Sequence, residues 1–204
     1  MIKAPDKAFR RRHWTLASAS PRRAELLQLA LESFEITVSP KPEPIRKPAS
    51  VEVELWPVCL AHYKAKAVAA SLRLPPQSNC LWGVIGADTI VELNGRIINK
   101  ARNAAHARNI LRSLSGRVHR VITGVAVILS DQTHLLSATA LCRMRRLNPA
   151  ELERYIATGL WRGKAGAYGI QDVADPLVEM VSGDITTVMG LPVPPLLDIL
   201  RRLK

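Results

Sequence analysis

The stretch Val118–Leu129 constrains the fold more than any other part of the sequence, because it is apolar on both of its faces. A strand of this kind is typical of the middle of a sheet that is covered on both sides. It is also far shorter than the roughly 20 apolar residues that a membrane-spanning helix needs. We therefore expect a central strand here, with residues 135–147 as its antiparallel partner.

Strand and helix patterns alternate along the rest of the chain. Residues 14–19 predict a strand, and Ser20-Pro21 predicts a helix start in which the serine hydroxyl accepts a free backbone N–H. Asn94-Gly95 is typical of a hairpin turn. The other expected elements are helices at 22–31, 51–74 (divided at Pro57), 103–115 (capped by Asn103), 148–159 (capped by Asn148, with Glu151 at its third position) and 192–203, and strands at 34–38, 84–93 and 177–181. This order predicts an α/β fold with a mixed sheet.

The composition narrows the class of protein without naming a function. With 204 residues and 48% hydrophobic content, we expect a basic extension at 1–13 and a single domain at 14–204. The net charge of +12 attracts nucleic acid, acidic membrane or a triphosphate, or is simply a solvated basic surface. Three widely spaced cysteines (59, 80 and 142) and the lack of a secretory signal predict a cytoplasmic protein with reduced thiols.

The segment Ser18-Ala19-Ser20-Pro21-Arg22-Arg23 is the first candidate site. Two arginines at a helix N-terminus are electrostatically unusual, because helix N-termini favour negative charge. An anion bound between the guanidinium groups and the free N–H groups would account for them, and guanidinium pairs well with phosphate. The alternative is a solvated basic turn.

Two further segments carry polar groups in places where they are costly or useful. Asp88 ends a buried strand, where a carboxylate is costly unless it binds a metal, pairs with a cation or takes part in proton transfer. The alternative to a functional role is a structural Asp in a salt bridge or a cap. Lys64 and Lys100 would each be an ordinary surface lysine if taken alone. In the glycine-rich loop at 164–171, Gln171 offers a donor and an acceptor to a base edge, although the glycines also suit a plain turn.

Taken together, these segments resemble the Maf family of nucleotide pyrophosphatases. The motifs are LASASPRR, LAHYKA, GADTIV, LSGRVHRVITGVAV, YIATG, KAGAYGIQ and GLP, and they run from about residue 14 to the C-terminus. The resemblance implies a mixed, largely antiparallel, elongated sheet flanked by helices, similar to inosine-triphosphatase (ITPase) folds, with two lobes around a central cleft. It also implies a homodimer.

The resemblance implies hydrolysis of a nucleoside triphosphate to the monophosphate and pyrophosphate with a divalent cation, Mg²⁺ or Mn²⁺. Asp88 would be the acid–base residue or a metal ligand, and Glu43 would share the metal. Ser18 would hydrogen-bond a phosphate oxygen. The residues that would neutralise the triphosphate are Lys64, Lys100, Arg22 and Arg23. Neither membrane nor nucleic acid is an expected partner.

Three positions divide the family's subgroups, and here they hold Arg22, Thr89 and Gln171. This combination resembles the subgroup that acts on dTTP, UTP and modified pyrimidine nucleotides. The sister subgroup, directed at 7-methyl-GTP, has Trp, Gln and Glu there. A glutamine suits the O4/N3 edge of a pyrimidine, whereas a glutamate suits an edge that offers only donors.

The sequence departs from the family pattern at three places. Pro42 precedes Glu43, Ala101 follows Lys100 where proline is usual, and Asp172 stands where glycine is common. The first departure leaves one carboxylate fewer for a metal, for which Asp172 is a possible replacement. The alternatives to the dTTP/UTP hypothesis are the same reaction on 7-methyl-GTP, and a non-catalytic protein that binds nucleic acid or a cell-division partner.

Overall fold

The computed structural model describes residues 12–72, 81–171 and 177–203. Cys80, Asp172 and most of the predicted extension at 1–13 lie outside the described residues. The chain forms two compact units, and both are discontinuous in sequence. The first comprises residues 1–88, 123–137 and 190–204, and the second comprises residues 89–122 and 138–189.

One mixed sheet contains seven strands within the described residues, in the order β2-β1-β3-β5-β6-β7, with β4 paired to β3. The strands are β1 (His13–Ala17), β2 (Glu35–Ile36), β3 (Trp82–Leu93), β4 (Arg96–Ile98), β5 (Val118–Leu129), β6 (Thr133–Met144) and β7 (Val178–Ser182). Strand β1 runs parallel to β2 and β3, whereas the β3–β4 and β6–β7 pairs are antiparallel. The predicted α/β class with a mixed sheet is confirmed.

The central strand is also confirmed. β5 lies between β3 and β6, and its residues 121–129 are all buried. A turn of three residues joins it to β6, which is too short for a parallel crossover, so the two strands are antiparallel as predicted. The predicted hairpin is present as well, with Asn94 and Gly95 both at positive φ (51° and 79°).

Six helices lie in the described part of the chain. They are α1 (Pro21–Gln28), α2 (Trp56–Ala69), α3 (Ala104–Leu114), α4 (Pro149–Thr158), α5 (Ile185–Met189) and α6 (Val193–Arg202). Asn103 caps α3, and Asn148 forms a capping box with Glu151 at the start of α4, as predicted. The helix predicted at 51–74 changes character next to Pro57, because a 3-10 turn at Val53–Leu55 precedes α2, which begins at Trp56. Pro57 lies in the first turn of α2, where its missing N–H costs nothing.

In the first unit, two glycines bring α2 against the sheet. A Cβ on Gly86 of β3 would lie 2.3 Å from the Ala61 carbonyl oxygen, and one on Gly124 of β5 would lie 2.2 Å from the Val58 nitrogen. Only glycine allows so close an approach of helix backbone to strand. The core under this contact is built from small residues, mainly alanines. The depth of α2 on the sheet is therefore fixed by β3 and β5.

In the core of the second unit, α3 and α4 pack together with strand residues such as Val121 and Met144. Arg108 of α3 and Glu153 of α4 form a bidentate ion pair on the outside, at 2.5 and 2.6 Å. No helix among the described residues is long and apolar enough to cross a membrane.

Candidate active site

The parallel pairing of β1 with β3 places the first candidate loop beside the second candidate segment. Ala17, the last residue of β1, is in register with Gly86. Ser18 follows β1 directly, and Asp88 lies two residues beyond Gly86 in β3. The carboxyl end of β1 and the Asp88 segment of β3 are thus brought to the same level of the sheet in the first unit.

Ser18 organises the turn between β1 and α1. Its buried hydroxyl accepts hydrogen bonds from the Ser20 backbone N–H and from Arg23 Nη1, both at 3.2 Å. Ser20 is the N-cap residue of α1, but its side chain makes no capping hydrogen bond. The predicted cap by the Ser20 hydroxyl is therefore wrong. The turn is held by Ser18, whose hydroxyl accepts the N–H of Ser20 itself.

The two arginines of the loop have different surroundings. Arg23 also donates from Nε to the Gly190 carbonyl oxygen at 2.9 Å, which ties the loop to the segment before α6. Burial lowers the pKa of Arg23, while Asp88 and Glu43 raise it and Arg22 lowers it further. Its guanidinium remains charged at neutral pH. Arg22 has no hydrogen bond or ion pair to any described residue, so its guanidinium is available to a ligand.

Lys64 of α2 is the buried centre of a charged cluster, with a residue exposure of 7%. Its ammonium lies 2.5 Å from Asp88 Oδ1 and 3.3 Å from Glu43 Oε2, and it donates to the Ala87 carbonyl oxygen at 3.4 Å. Glu43 is half exposed, whereas Asp88 is mostly covered. Two carboxylates and one ammonium carry a formal charge of −1, which the neighbouring Arg23 guanidinium offsets.

The remaining predicted site residues belong to the second unit. Thr89 lies in β3 and is half-buried, and Lys100 follows β4 and is exposed. Gln171 is exposed beyond a short 3-10 turn (Ala165–Ala167), and its amide Nε2 donates to the Met189 sulfur at 3.1 Å.

The family model described as "Maf-like protein" matches residues 13–203. The chain belongs to the Maf family. A protein of Yersinia pestis bv. Antiqua (strain Antiqua) named dTTP/UTP pyrophosphatase is 43% identical over 179 residues, which covers 87% of this chain and 86% of the relative. A protein of Alkaliphilus metalliredigens with the same name is 43% identical over 192 residues (92% and 94%). One of Pyrococcus furiosus, also so named, is 37% identical over 178 residues (87% and 88%).

Two contributors to this Maf-family site were not predicted as site residues. Tyr63 donates from its hydroxyl to the Pro42 carbonyl oxygen at 3.0 Å, which ties the acidic loop to α2 next to Lys64. Pro42 is thus part of the anchor that holds Glu43, although it departs from the family pattern. The second contributor is the Gly190 carbonyl oxygen, which accepts from Arg23 Nε and so holds the basic loop. Both residues lie in motifs that carry the family resemblance, LAHYKA and GLP, and that is the only sequence signal for them.

The carboxylates present fit a divalent cation only if substrate completes its coordination. No group of three His, Cys, Asp or Glu side chains able to hold a metal occurs within 12–72, 81–171 and 177–203. Mg²⁺ is commonly held by one or two carboxylates together with waters and substrate phosphates. Asp88 and Glu43, which share Lys64, meet that requirement. Asp172 lies outside the described residues.

Proposed function

We propose that the chain hydrolyses dTTP and UTP to the nucleoside monophosphate and pyrophosphate. The observation that carries this proposal is the buried Lys64 ammonium, held between Asp88 and Glu43 at 2.5 and 3.3 Å. A cation and two carboxylates lie in the same unit as a basic loop at a helix N-terminus, and phosphoryl chemistry needs both. The names of the family members described above support these substrates over 7-methyl-GTP.

Asp88 is the proposed acid–base residue. Its Oδ1 is bound by Lys64, which fixes the carboxylate in one orientation. The carboxylate can then accept a proton from the water that attacks the α-phosphorus. When bound by Asp88 and Glu43, Mg²⁺ or Mn²⁺ would acidify that water and neutralise charge on the phosphates.

On the phosphate side, we assign different tasks to the two arginines. Arg22, whose guanidinium has no described partner, binds phosphate oxygens directly. Arg23 holds the loop in shape through Ser18 and Gly190 while adding positive charge. Lys64 and Lys100 are proposed to neutralise charge that develops on the pyrophosphate leaving group.

Base choice is proposed to depend on Arg22, Thr89 and Gln171. A uracil or thymine edge presents an O4 acceptor, where cytosine presents an N4 donor. Gln171 can donate to O4 from its amide nitrogen and accept from N3–H with its oxygen. These assignments rest on the family resemblance and on the chemistry of the side chains.

The test is pyrophosphate release from a panel of dTTP, UTP, CTP, GTP and 7-methyl-GTP, with Mg²⁺ and with Mn²⁺. We expect dTTP and UTP to be cleaved best. Asp88→Asn should lower kcat by about 10²–10⁴-fold, the usual contribution of a positioned acid–base group. Asp131→Asn is the matched control, because Asp131 lies exposed in the β5–β6 turn of the same unit. Full activity in Asp88→Asn, or no cleavage by the wild type, would refute the proposal.

A nucleic-acid-binding function has less support. Of the basic cluster at 143–146, Arg143 pairs with Glu179 at 3.0 Å and Arg145 with Glu151 at 2.8 Å, so two of its three arginines are already engaged. Aromatic residues on which bases stack make up only 4% of the chain. A steep loss of oligonucleotide affinity with rising salt would favour this second function.

A further inference from the structure

The second unit contains a buried polar cluster that has no part in the proposed chemistry. It consists of His119 of β5, Cys142 of β6, and Tyr168, which follows the short 3-10 turn. His119 is 2% exposed, Tyr168 5% and Cys142 0%. Buried groups of this kind need hydrogen-bond partners, and a buried imidazole in an otherwise apolar core calls for a reason.

The two rings of this cluster are bound to one another. His119 Nε2 lies 2.6 Å from Tyr168 Oη, and the rings meet edge to face with their centroids 5.4 Å apart. Burial lowers the pKa of His119 to about 4 and raises the pKa of Tyr168 well above its usual value. Both rings are therefore neutral at pH 7, and the contact between them is a neutral hydrogen bond.

Tyr168 in turn packs on the backbone of the turn that precedes it. Gly166 and Ala167 both have left-handed conformations, with φ of 69° and 58°. A Cβ on Gly166 would lie 2.9 Å from Tyr168 Cε1 and 3.0 Å from Val91 Cγ2. A left-handed alanine persists only where its surroundings hold it. The Tyr168 ring, anchored by His119, packs against Gly166, the residue before this alanine.

Gln171 lies three residues beyond this anchor. Its side chain is exposed, and its amide nitrogen Nε2 donates to the Met189 sulfur. Three residues span at most about 10 Å of extended chain. A shift of Tyr168 should therefore also move Gln171, because only two residues lie between them.

We propose that the His119–Tyr168 hydrogen bond is a positioning device for Gln171, and that it sharpens the discrimination between uracil-type and cytosine bases. This inference rests on the proposed function, because the task of Gln171 in base choice is part of that function. His119 and Tyr168 act through the loop and do not touch the substrate.

Tyr168→Phe tests the device, since it keeps the ring and removes the hydroxyl. We expect the ratio of kcat/KM for UTP over CTP to fall about fivefold or more, the equivalent of one net hydrogen bond. KM for UTP should rise while kcat stays close to wild type, because Asp88 and Lys64 are untouched. Ser113→Ala is the control, for it removes a hydroxyl from α3 of the same unit, where that hydroxyl donates to the Ile110 carbonyl oxygen. It should leave the UTP/CTP ratio unchanged.

Two His119 variants test the same hydrogen bond independently, in case Tyr168→Phe does not fold. His119→Gln places an amide near the position of Nε2 and should keep the ratio within about twofold of wild type, whereas His119→Leu should lower it as Tyr168→Phe does. Gln171→Ala must also lower the ratio. If it does while Tyr168→Phe and His119→Leu leave the ratio intact, the positioning inference is overturned but the proposed function stands. If the wild type cleaves neither nucleotide, the proposed function itself fails.

Discussion

The molecule buries polar side chains in two clusters of opposite character. Around Lys64 the groups carry full charges, and one of its two carboxylates, Glu43, is half exposed. Around His119 the groups are neutral and closed off from solvent. Ion pairs seldom add stability once desolvation is counted, whereas a satisfied neutral hydrogen bond usually does. The contrast indicates that the Lys64 cluster serves chemistry and that the His119 cluster serves shape.

Among the tests of this contrast, removal of the ammonium from the charged cluster should have the largest effect. Lys64→Met keeps the length and apolar stem of the side chain but frees Asp88 from its 2.5 Å partner. We expect kcat for UTP to fall about 10²–10³-fold, as when one preorganised donor is lost from an active site. Steady-state kinetics on folded protein measures this. Lys66→Met, on an exposed position of the same helix, should retain wild-type kcat. Comparable rates for the two variants would remove the functional interpretation of the Lys64 cluster.

The neutral cluster should reveal itself through the pH dependence of stability. Burial lowers the pKa of His119 from 6.5 to about 4, with smaller opposing effects of the Arg117 backbone and Glu92. The unfolded chain therefore binds a proton between these values that the folded chain does not. As a result, the contribution of neutral His119 to the free energy of unfolding is fully present above pH 6.5 and is lost as pH falls towards 4. The loss over this range is about 3 kcal/mol.

Urea unfolding of the wild type and of His119→Gln between pH 7 and pH 5 checks this expectation. The variant should show a flatter decline, since glutamine does not titrate and can still bond Tyr168. His134→Gln, on the exposed hairpin turn side of β6, is the control and should decline as the wild type does. Parallel curves for wild type and His119→Gln would mean that His119 can accept a proton without unfolding.

The sequence predicted contacts between residues close in the chain, but not the long-range contacts that build the two clusters. Asn94-Gly95, Asn103 and Asn148 were predicted correctly because the groups they bind lie only a few residues away. The Lys64–Asp88 contact spans 24 residues and the His119–Tyr168 contact spans 49, and no local pattern encodes either.

The family resemblance named Lys64 and Asp88 as site residues, whereas His119 and Tyr168 lie in its motifs without a role assigned to them. It predicted neither the Lys64–Asp88 bond nor the His119–Tyr168 bond. The Ser20 cap was predicted wrongly for a related reason. Residue preference marks a serine as a cap, but only the folded turn shows that the Ser20 hydroxyl makes no cap and that the Ser18 hydroxyl accepts the Ser20 N–H. The same holds for Tyr63, whose hydroxyl binds a carbonyl 21 residues away.

The stability of a double variant tests the contrast further, and its expected difference from wild type is the smallest. Lys64→Met alone leaves Asp88 mostly covered and without its cation, which should cost up to about 3 kcal/mol. Adding Asp88→Asn removes the unpaired charge, so the double variant should regain stability to within about 1 kcal/mol of wild type while remaining inactive. Urea unfolding measures both, with Lys66→Met/Asp131→Asn as the exposed control. A double variant that stays about 3 kcal/mol below wild type would show that the charged cluster holds the fold together, and the division between chemistry and shape would then be wrong.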